Sequence, residues 1–252
     1  MSNPLHAKLR RFNLIAGILH LVQLAAVLAL STDFTLPIRA SYMAGPPGTA
    51  FTDPVVLFHS PLAAGVALFL ALSSVAHFVV ASPAFFNRYS DGLTHHRNYF
   101  RWVEYGISSS VMIVLIAQVC GITDVSALIA IFGVNASMIL FGWLQEKFCE
   151  PGSGEWLPFI FGCIAGLVPW IAIVIYILSP KSPVEANPPG FVYAIVVSLF
   201  VMFNSFAYVQ FKQYQAKGKW NDYLRGERAY IVLSLVAKSL LAWQIFANTL
   251  IP

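Results

Sequence analysis

Ile231-Val232-Leu233-Ser234-Leu235-Val236-Ala237-Lys238-Ser239-Leu240-Leu241 is apolar enough to cross a bilayer, yet it carries a lysine in its middle. Lys238 stands ten residues beyond Arg228. At about 1.5 Å per helical residue it lies roughly 15 Å below that charged rim, near the midplane of a hydrocarbon core about 30 Å thick. An ionised lysine there costs about 2.5–3.5 kcal/mol on insertion scales and is too deep to snorkel easily to either surface. Such a residue needs a buried partner or a covalent role.

Six more runs of membrane-spanning length precede this one. With it, the seven lie near Phe12–Leu30, Ser60–Val80, Asn98–Val119, Asp124–Leu144, Trp156–Leu178, Phe191–Phe211 and Glu227–Ile251. The composition agrees: 58% of the 252 residues are hydrophobic and only 10% are charged. A soluble domain carries about 25% charged residues, so these few cannot coat a globule in water. The expected fold is an all-α bundle of seven transmembrane helices in one membrane domain, residues 1–252, embedded in a lipid bilayer. Lys8, Arg10 and Arg11 precede the first run as they would in a signal peptide. His20 and Gln23 interrupt that run, however, and no small-x-small cleavage site follows, so it reads as a retained helix.

Several functional classes drop out. Cys120, Cys149 and Cys163 are odd in number and lack CxxC spacing, which suits small core residues better than a disulfide framework or a metal site. The basic pI of 9.0 comes from residues in short loops and is no sign of nucleic-acid binding. No nucleophile–base pair, metal motif or phosphate loop suggests an enzyme.

Orientation follows from the loop cations. One side holds Lys8, Arg10, Arg11, Arg88, Arg97, Arg101, Lys147, Lys212, Lys217, Lys219, Arg225 and Arg228; the other holds Arg39 and Lys181. Twelve against two puts the N-terminus in the cytoplasm and, after seven spans, the C-terminus outside. The long connection Ser31–His59 is then extracellular. Within it, Leu36–Met43 and Ala50–Leu57 flank Gly45-Pro46-Pro47-Gly48, which suggests a β-hairpin with Pro54 confined to an edge strand.

Glu104 is the only carboxylate well inside one of these spans. It lies seven residues past Arg97, roughly 10 Å deep by the same helical rise, within reach of an extended Lys238. The alternative partner for Glu104 is Arg101, one turn earlier. Ser234, one turn before Lys238, and Ser108, one turn after Glu104, stand where they can hydrogen-bond the pair. His20 and His77 sit at similar depth in the first and second spans. They read either as a shared water-holding cluster, with Gln23, Asn98 and Arg101 nearby, or as two unrelated buried histidines.

The lysine in the seventh span resembles the retinal-binding lysine of rhodopsins. Arg101-Trp102-Val103-Glu104-Tyr105 resembles the microbial rhodopsin string Arg-aromatic-x-acid-aromatic, in which the acid is the counterion of the protonated Schiff base. Three features depart from ordinary microbial rhodopsins. The N-terminus is expected inside rather than outside. Ser234 replaces the acid usual four residues before the lysine. The long extracellular first loop and the single buried carboxylate add to the difference, and Leu115 stands where pumps of that pattern carry a proton-donating acid.

These departures fit heliorhodopsins. The string from Ser234 to Gln244 is similar to that family's, as are His20, Gln23, His77, Arg101 and Glu104, and the resemblance covers the whole chain. It implies all-trans retinal on Lys238 as a protonated Schiff base, Glu104 as counterion, a homodimer, and a photoreceptor that regulates a partner, on the cytoplasmic side by topology, rather than pumping. The competing reading is a light-driven or light-gated ion transporter or channel. Tyr105, Met138, Pro169, Trp170, Phe203, Phe206 and Trp243 are the expected walls of a flat polyene slot. His20 and His77 are the expected proton acceptors, since histidine titrates near neutral pH. Gly133 and Ser137 give a small-xxx-small spacing on the fourth span, a pattern too common to fix the dimer face. The orientation has a direct check. A C-terminal epitope tag on intact cells should be reached by antibody from outside, and protection there would reverse the topology.

Overall fold

The structure is a computed structural model and describes residues 4–179, 182 and 188–250; Lys181 and Ile251 lie outside them. Its seven long helices are α1 (Pro4–Leu30), α2 (Leu62–Ala81), α4 (Tyr99–Val119), α5 (Val125–Phe148), α6 (Leu157–Leu178), α7 (Gly190–Gln215) and α8 (Tyr223–Ile245). All are long and apolar enough to cross a membrane, and the chain is a multi-pass membrane protein. Each helix packs on its chain neighbour and α8 returns against α1, so the bundle closes. The seam between α6 and α7 is the thinnest of these. The α4 helix is the most buried of the seven and touches α2, α5, α6 and α7.

The expected hairpin is present, but its second strand starts at Val55 rather than Ala50 and runs to Pro61, so Pro54 lies in the connection and not in an edge strand. β1 (Thr35–Ala40) pairs antiparallel with β2 (Val55–Pro61), and Met43 and Phe51 form an isolated bridge beyond them. Between the strands, Pro46, Pro47 and Pro54 have no N–H to give a ladder. Gly48, at φ +96°, makes the turn that a side chain would strain. The register slips at Ile38/Arg39, where the Arg39 amide leaves the ladder for the Thr123 carbonyl at 2.8 Å. The Thr32 amide likewise reaches the Leu250 carbonyl at 3.0 Å. These bonds fix the hairpin against the α4–α5 connection and the end of α8, all at one face of the bundle. The opposite face carries most of the cations.

Helix ends follow their local chemistry. Asp124 and Asp222 cap α5 and α8, each accepting from a first-turn amide, Ala127 at 2.9 Å and Leu224 at 3.0 Å. Gly121, at φ +94°, ends the α4 turn so that α5 can start four residues later. The sequence reading misses the short helix α3 (Phe86–Thr94) on the basic face. It is too short and polar to read as a span, but Tyr89 and Leu93, one turn apart, are both buried. Four ends also lie well beyond their expected limits. Helix α1 begins at Pro4 rather than Phe12, α7 runs to Gln215 rather than Phe211, α8 begins at Tyr223 rather than Glu227, and α5 runs to Phe148 rather than Leu144, which carries Glu146 into the bundle.

The close seam between α1 and α2 depends on Gly17. A Cβ there would come within 2.9 Å of the Phe78 ring and 3.3 Å of His77 Cβ. Glycine at this position lets the two helices approach until His20 and His77 meet.

Candidate functional site

Lys238 and Glu104 meet in the bundle interior. Lys238 Nζ donates to Glu104 Oε1 at 2.7 Å and to Ser234 Oγ at 3.0 Å, and Ser73 Oγ donates to Glu104 Oε1 at 2.8 Å. The lysine and glutamate side chains are 4% and 9% exposed, so neither charge is shared with bulk water. The lysine ammonium also stands 5.1 Å from the centroid of the Tyr105 ring, in cation–π range. The side-chain spacing along α4 and α8 makes the contact, and α2 adds Ser73, which sequence reasoning did not assign to the pair. Ser108 Oγ faces Glu104 without hydrogen-bond geometry.

A cavity of about 190 Å³ runs from this pair between α4, α5, α6, α7 and α8. Of the expected site residues, Tyr105, Ser108, Met138, Trp170, Phe203, Phe206, Ser234 and Lys238 line it. Glu104, Pro169 and Trp243 do not, Glu104 facing a separate small cavity instead. Pro169 is buried in the α6 turn beside Trp170, and Trp243 is 38% exposed against Phe246 on the outer surface of α8. One residue of helical rotation separates a wall from a neighbour facing elsewhere, and a list of aromatic residues cannot resolve that.

The same resolution problem hid Trp102, Ile139, Gly142, Gly162, Gly166 and Tyr230, which also line the cavity. The three glycines carry the signal that was available. A Cβ on Gly142 would strike the Trp102 ring at 2.6 Å, and one on Gly162 would press the Met138 carbonyl and Phe141 at 3.4 Å. A Cβ on Gly166 would collide with the Met138 sulfur. Trp170 meets Phe200 and Phe203 edge-on at 5.2 and 5.6 Å, and Tyr105 meets Phe206 in the same way at 5.5 Å. The result is an aromatic, mostly apolar slot with a primary amine in its wall. Leu167 and Phe200, 53% and 41% exposed, make that slot open toward the α6–α7 surface.

The polar residues sort into two groups rather than one. His20 and His77 stack at 5.6 Å between ring centroids, with planes 13° apart. His20 is wholly buried, and neither ring nitrogen has a hydrogen-bond partner among the described residues. His77 Nδ1 lies 2.7 Å from Asn13 Oδ1. Asn13 Nδ2 donates to the Leu9 carbonyl at 3.0 Å, which orients the amide so that its oxygen faces His77; Nδ1 therefore carries the proton. Gln23, expected beside the histidines, instead donates to the Leu19 carbonyl of its own helix at 3.2 Å.

Asn98 and Arg101 belong to a second cluster nearer the basic face. Arg101 pairs with Glu146 through Nη2 and with Glu227 through Nη1 at 2.6 Å, not with Glu104. This corrects the expectation that Glu104 is the only deep carboxylate. It also removes Arg101 from the loop cations, leaving eleven against two. Asn98 donates its backbone amide to Glu146 at 2.6 Å and its side-chain amide to Glu227 at 2.7 Å. Trp102 Nε1 and Tyr223 OH complete the shell of Glu146 at 2.8 and 3.0 Å. The guanidinium stacks on the Trp102 and Tyr230 rings at 4.8 and 4.1 Å.

Tyr89 of α3 joins the two groups, donating to Glu227 Oε1 at 3.0 Å and accepting from Asn13 Nδ2 at 3.3 Å. Burial, and then the neighbouring Glu227, push the Tyr89 phenol well above its ordinary range, so it stays a neutral donor. A cavity of about 40 Å³, touched by His77, Glu104, Arg101 and Glu227, lies between the groups. It has room and polar walls for roughly two or three waters.

A seven-helix membrane protein with a buried lysine–carboxylate pair opening into an aromatic slot has the architecture of a retinal-binding rhodopsin. The chain belongs to the heliorhodopsin family, whose family model matches residues 9–250, and membership implies a retinal chromophore. No curated protein matches the chain.

The cluster around Arg101 yields a stability prediction. Arg101→Gln leaves two carboxylates buried without their cation and should cost about 3–5 kcal/mol. Glu227→Gln should cost less, since Arg101 keeps Glu146. Thermal melting in detergent checks the order, and equal melting temperatures for the two variants would show that the cluster is not held by Arg101.

Proposed function

We propose that the protein is a light-sensing receptor that uses all-trans retinal and regulates a partner rather than moving ions or catalysing a reaction. Retinal, bound to Lys238 as a protonated Schiff base, would supply absorption of visible light and a change of shape on isomerisation. Everything else in the reading falls to the chain's own residues. Glu104 is placed to neutralise a positive Lys238 nitrogen, and Ser73 holds the same carboxylate oxygen that faces it. Ser234 is placed to steady the nitrogen from one turn below. Tyr105, Trp170, Phe203 and Phe206 shape the slot and keep water from it. A displacement of the nitrogen from Glu104 weakens that stabilisation and releases a proton toward the basic side, where His20 and the Nε2 of His77 stand as acceptors.

The observation that carries the choice of sensor over transporter is the asymmetry around the pair. On the basic side lie the histidines, the water-sized cavity and the cluster of Arg101, Glu146 and Glu227. On the hairpin side, Leu70, Ile113, Leu115, Ile116, Leu241 and Ile245 pack together, and the polar groups among them, Asn135 with Ser109 and Ser110 and Gln244 with Ser198, are neutral amides and hydroxyls. The buried carboxylates among the described residues, Glu104, Glu146 and Glu227, all lie level with the pair or toward the basic face. A proton released from Lys238 therefore has histidines and carboxylates to accept it on one side and, among the described residues, no buried carboxylate or histidine on the other.

The same reading places the N-terminus and basic face in the cytoplasm, where a regulated partner would dock, and takes the protein as a homodimer. The hairpin supports the latter, since Val55, Val56, Leu57 and Phe58 of β2 are all 42–56% exposed and offer an apolar surface to a second copy.

Adding all-trans retinal to the expressed chain tests the reading. The wild type should form a visible band that hydroxylamine bleaches. Lys238→Ala should form none. Glu104→Gln should form a shifted band that becomes sensitive to added chloride, because a mobile anion replaces the lost carboxylate. Illuminated cells carrying the pigment should show no sustained pH change. A light-driven acidification abolished by a protonophore would establish the transporter instead.

A further inference from the structure

A groove of about 380 Å³ lies between the start of α1 and the start of α8, apart from the cavities of the pigment site. Its rim carries Lys8, Arg11 and Arg228, all exposed, and its floor carries Phe12, Ile15 and Leu224. The cations lie in the first turns of membrane-spanning helices, at the level of headgroups. From Lys8 to Ile15 the helix descends about 10 Å into the acyl region. Among the described residues Lys8 and Arg11 have no hydrogen-bond or ion-pair partner. Arg10, between them, is turned away to the Ala81 carbonyl at 2.8 Å and over the Phe86 ring at 5.1 Å. Arg228 shares a half-exposed pair with Asp222 at 3.2 Å through Nη2, and gives Nε to the Leu224 carbonyl, leaving Nη1 free. With Asp222 counted, the rim still holds two net positive charges.

We propose that this groove binds the headgroup of an anionic phospholipid, with the phosphate among Lys8, Arg11 and Arg228 and an acyl chain along Phe12 and Ile15. The observations favour a membrane lipid over a free phosphate because the cations stand directly above exposed apolar surface. Ile15 is 51% exposed and has no protein neighbour to cover it fully. Basic pockets between helices at the headgroup level recognise anionic lipids in this way, by charge at the rim and apolar contact below.

The test is native mass spectrometry of delipidated protein in neutral detergent, titrated separately with phosphatidylglycerol and phosphatidylcholine. The wild type should retain one phosphatidylglycerol at concentrations where phosphatidylcholine is lost. Glycerol phosphate in excess should not displace it. The variant Lys8→Gln/Arg11→Gln/Arg228→Gln should weaken retention at least about tenfold. A control, Lys217→Gln/Lys219→Gln/Arg225→Gln, removes three cations from elsewhere on the same face and should retain the lipid. Circular dichroism and gel filtration confirm that both variants are folded. Equal retention of the two lipids, displacement by glycerol phosphate, unchanged binding in the first variant, or equal loss in the control would each overturn the proposal.

Discussion

A charge buried at the middle of a membrane has to be matched within hydrogen-bonding distance, and the contact between Lys238 and Glu104 meets that demand. In a low-dielectric interior, removing one member of such a pair leaves the other uncompensated, at a cost of about 3–5 kcal/mol. The pair therefore constrains three helices at once. Helix α8 must turn Lys238 inward, α4 must present Glu104 at the same depth, and α2 must bring Ser73 to the carboxylate. The deep burial of α4 at the centre of the bundle follows from its task, since its acid has to be reached from both sides.

The polar groups are then graded along the membrane normal. Next to the pair, His77, stacked on His20, shares a small cavity with Glu104. Further toward the basic face, Arg101 binds two carboxylates contributed by α5 and α8, and Tyr89 ties α3 to them. That second cluster is held by charge-assisted hydrogen bonds and aromatic stacking, and it joins the basic-face ends of α4, α5 and α8. Toward the hairpin the described interior holds no buried carboxylate or histidine, its polar groups being neutral ones such as Asn135 and Gln118, and the backbone bonds from Arg39 and Thr32 tie the hairpin to the bundle's end.

Much of this was legible in the sequence because the strongest signals are one-dimensional. Seven long apolar runs, a lysine in the last and a glutamate in the third need only length and helical rise to interpret. The hairpin was legible from its proline–glycine centre. The partners of Arg101 were not, for a specific reason. Glu146 lies past the point where hydropathy ends the fourth span, and Glu227 sits at the first turn of the seventh, so both look like rim residues. Only the packing shows that α5 and α8 carry those turns inside. Pro169 and Trp243 failed as slot residues because composition cannot give rotation about a helix axis. The glycines of α5 and α6 point to a close approach, but not to what approaches.

The central claim is that Lys238, alone among the described lysines, is placed to hold the chromophore. Lys8, Lys147, Lys212, Lys217 and Lys219 stand at helix ends or in connections. The most direct measurement is reduction of the retinal-loaded protein with borohydride, which fixes an imine as a stable amine, followed by peptide mass mapping. The account predicts a single retinyl addition on the peptide that contains Lys238. An addition on another lysine, or none in a protein that shows the visible band, would contradict it.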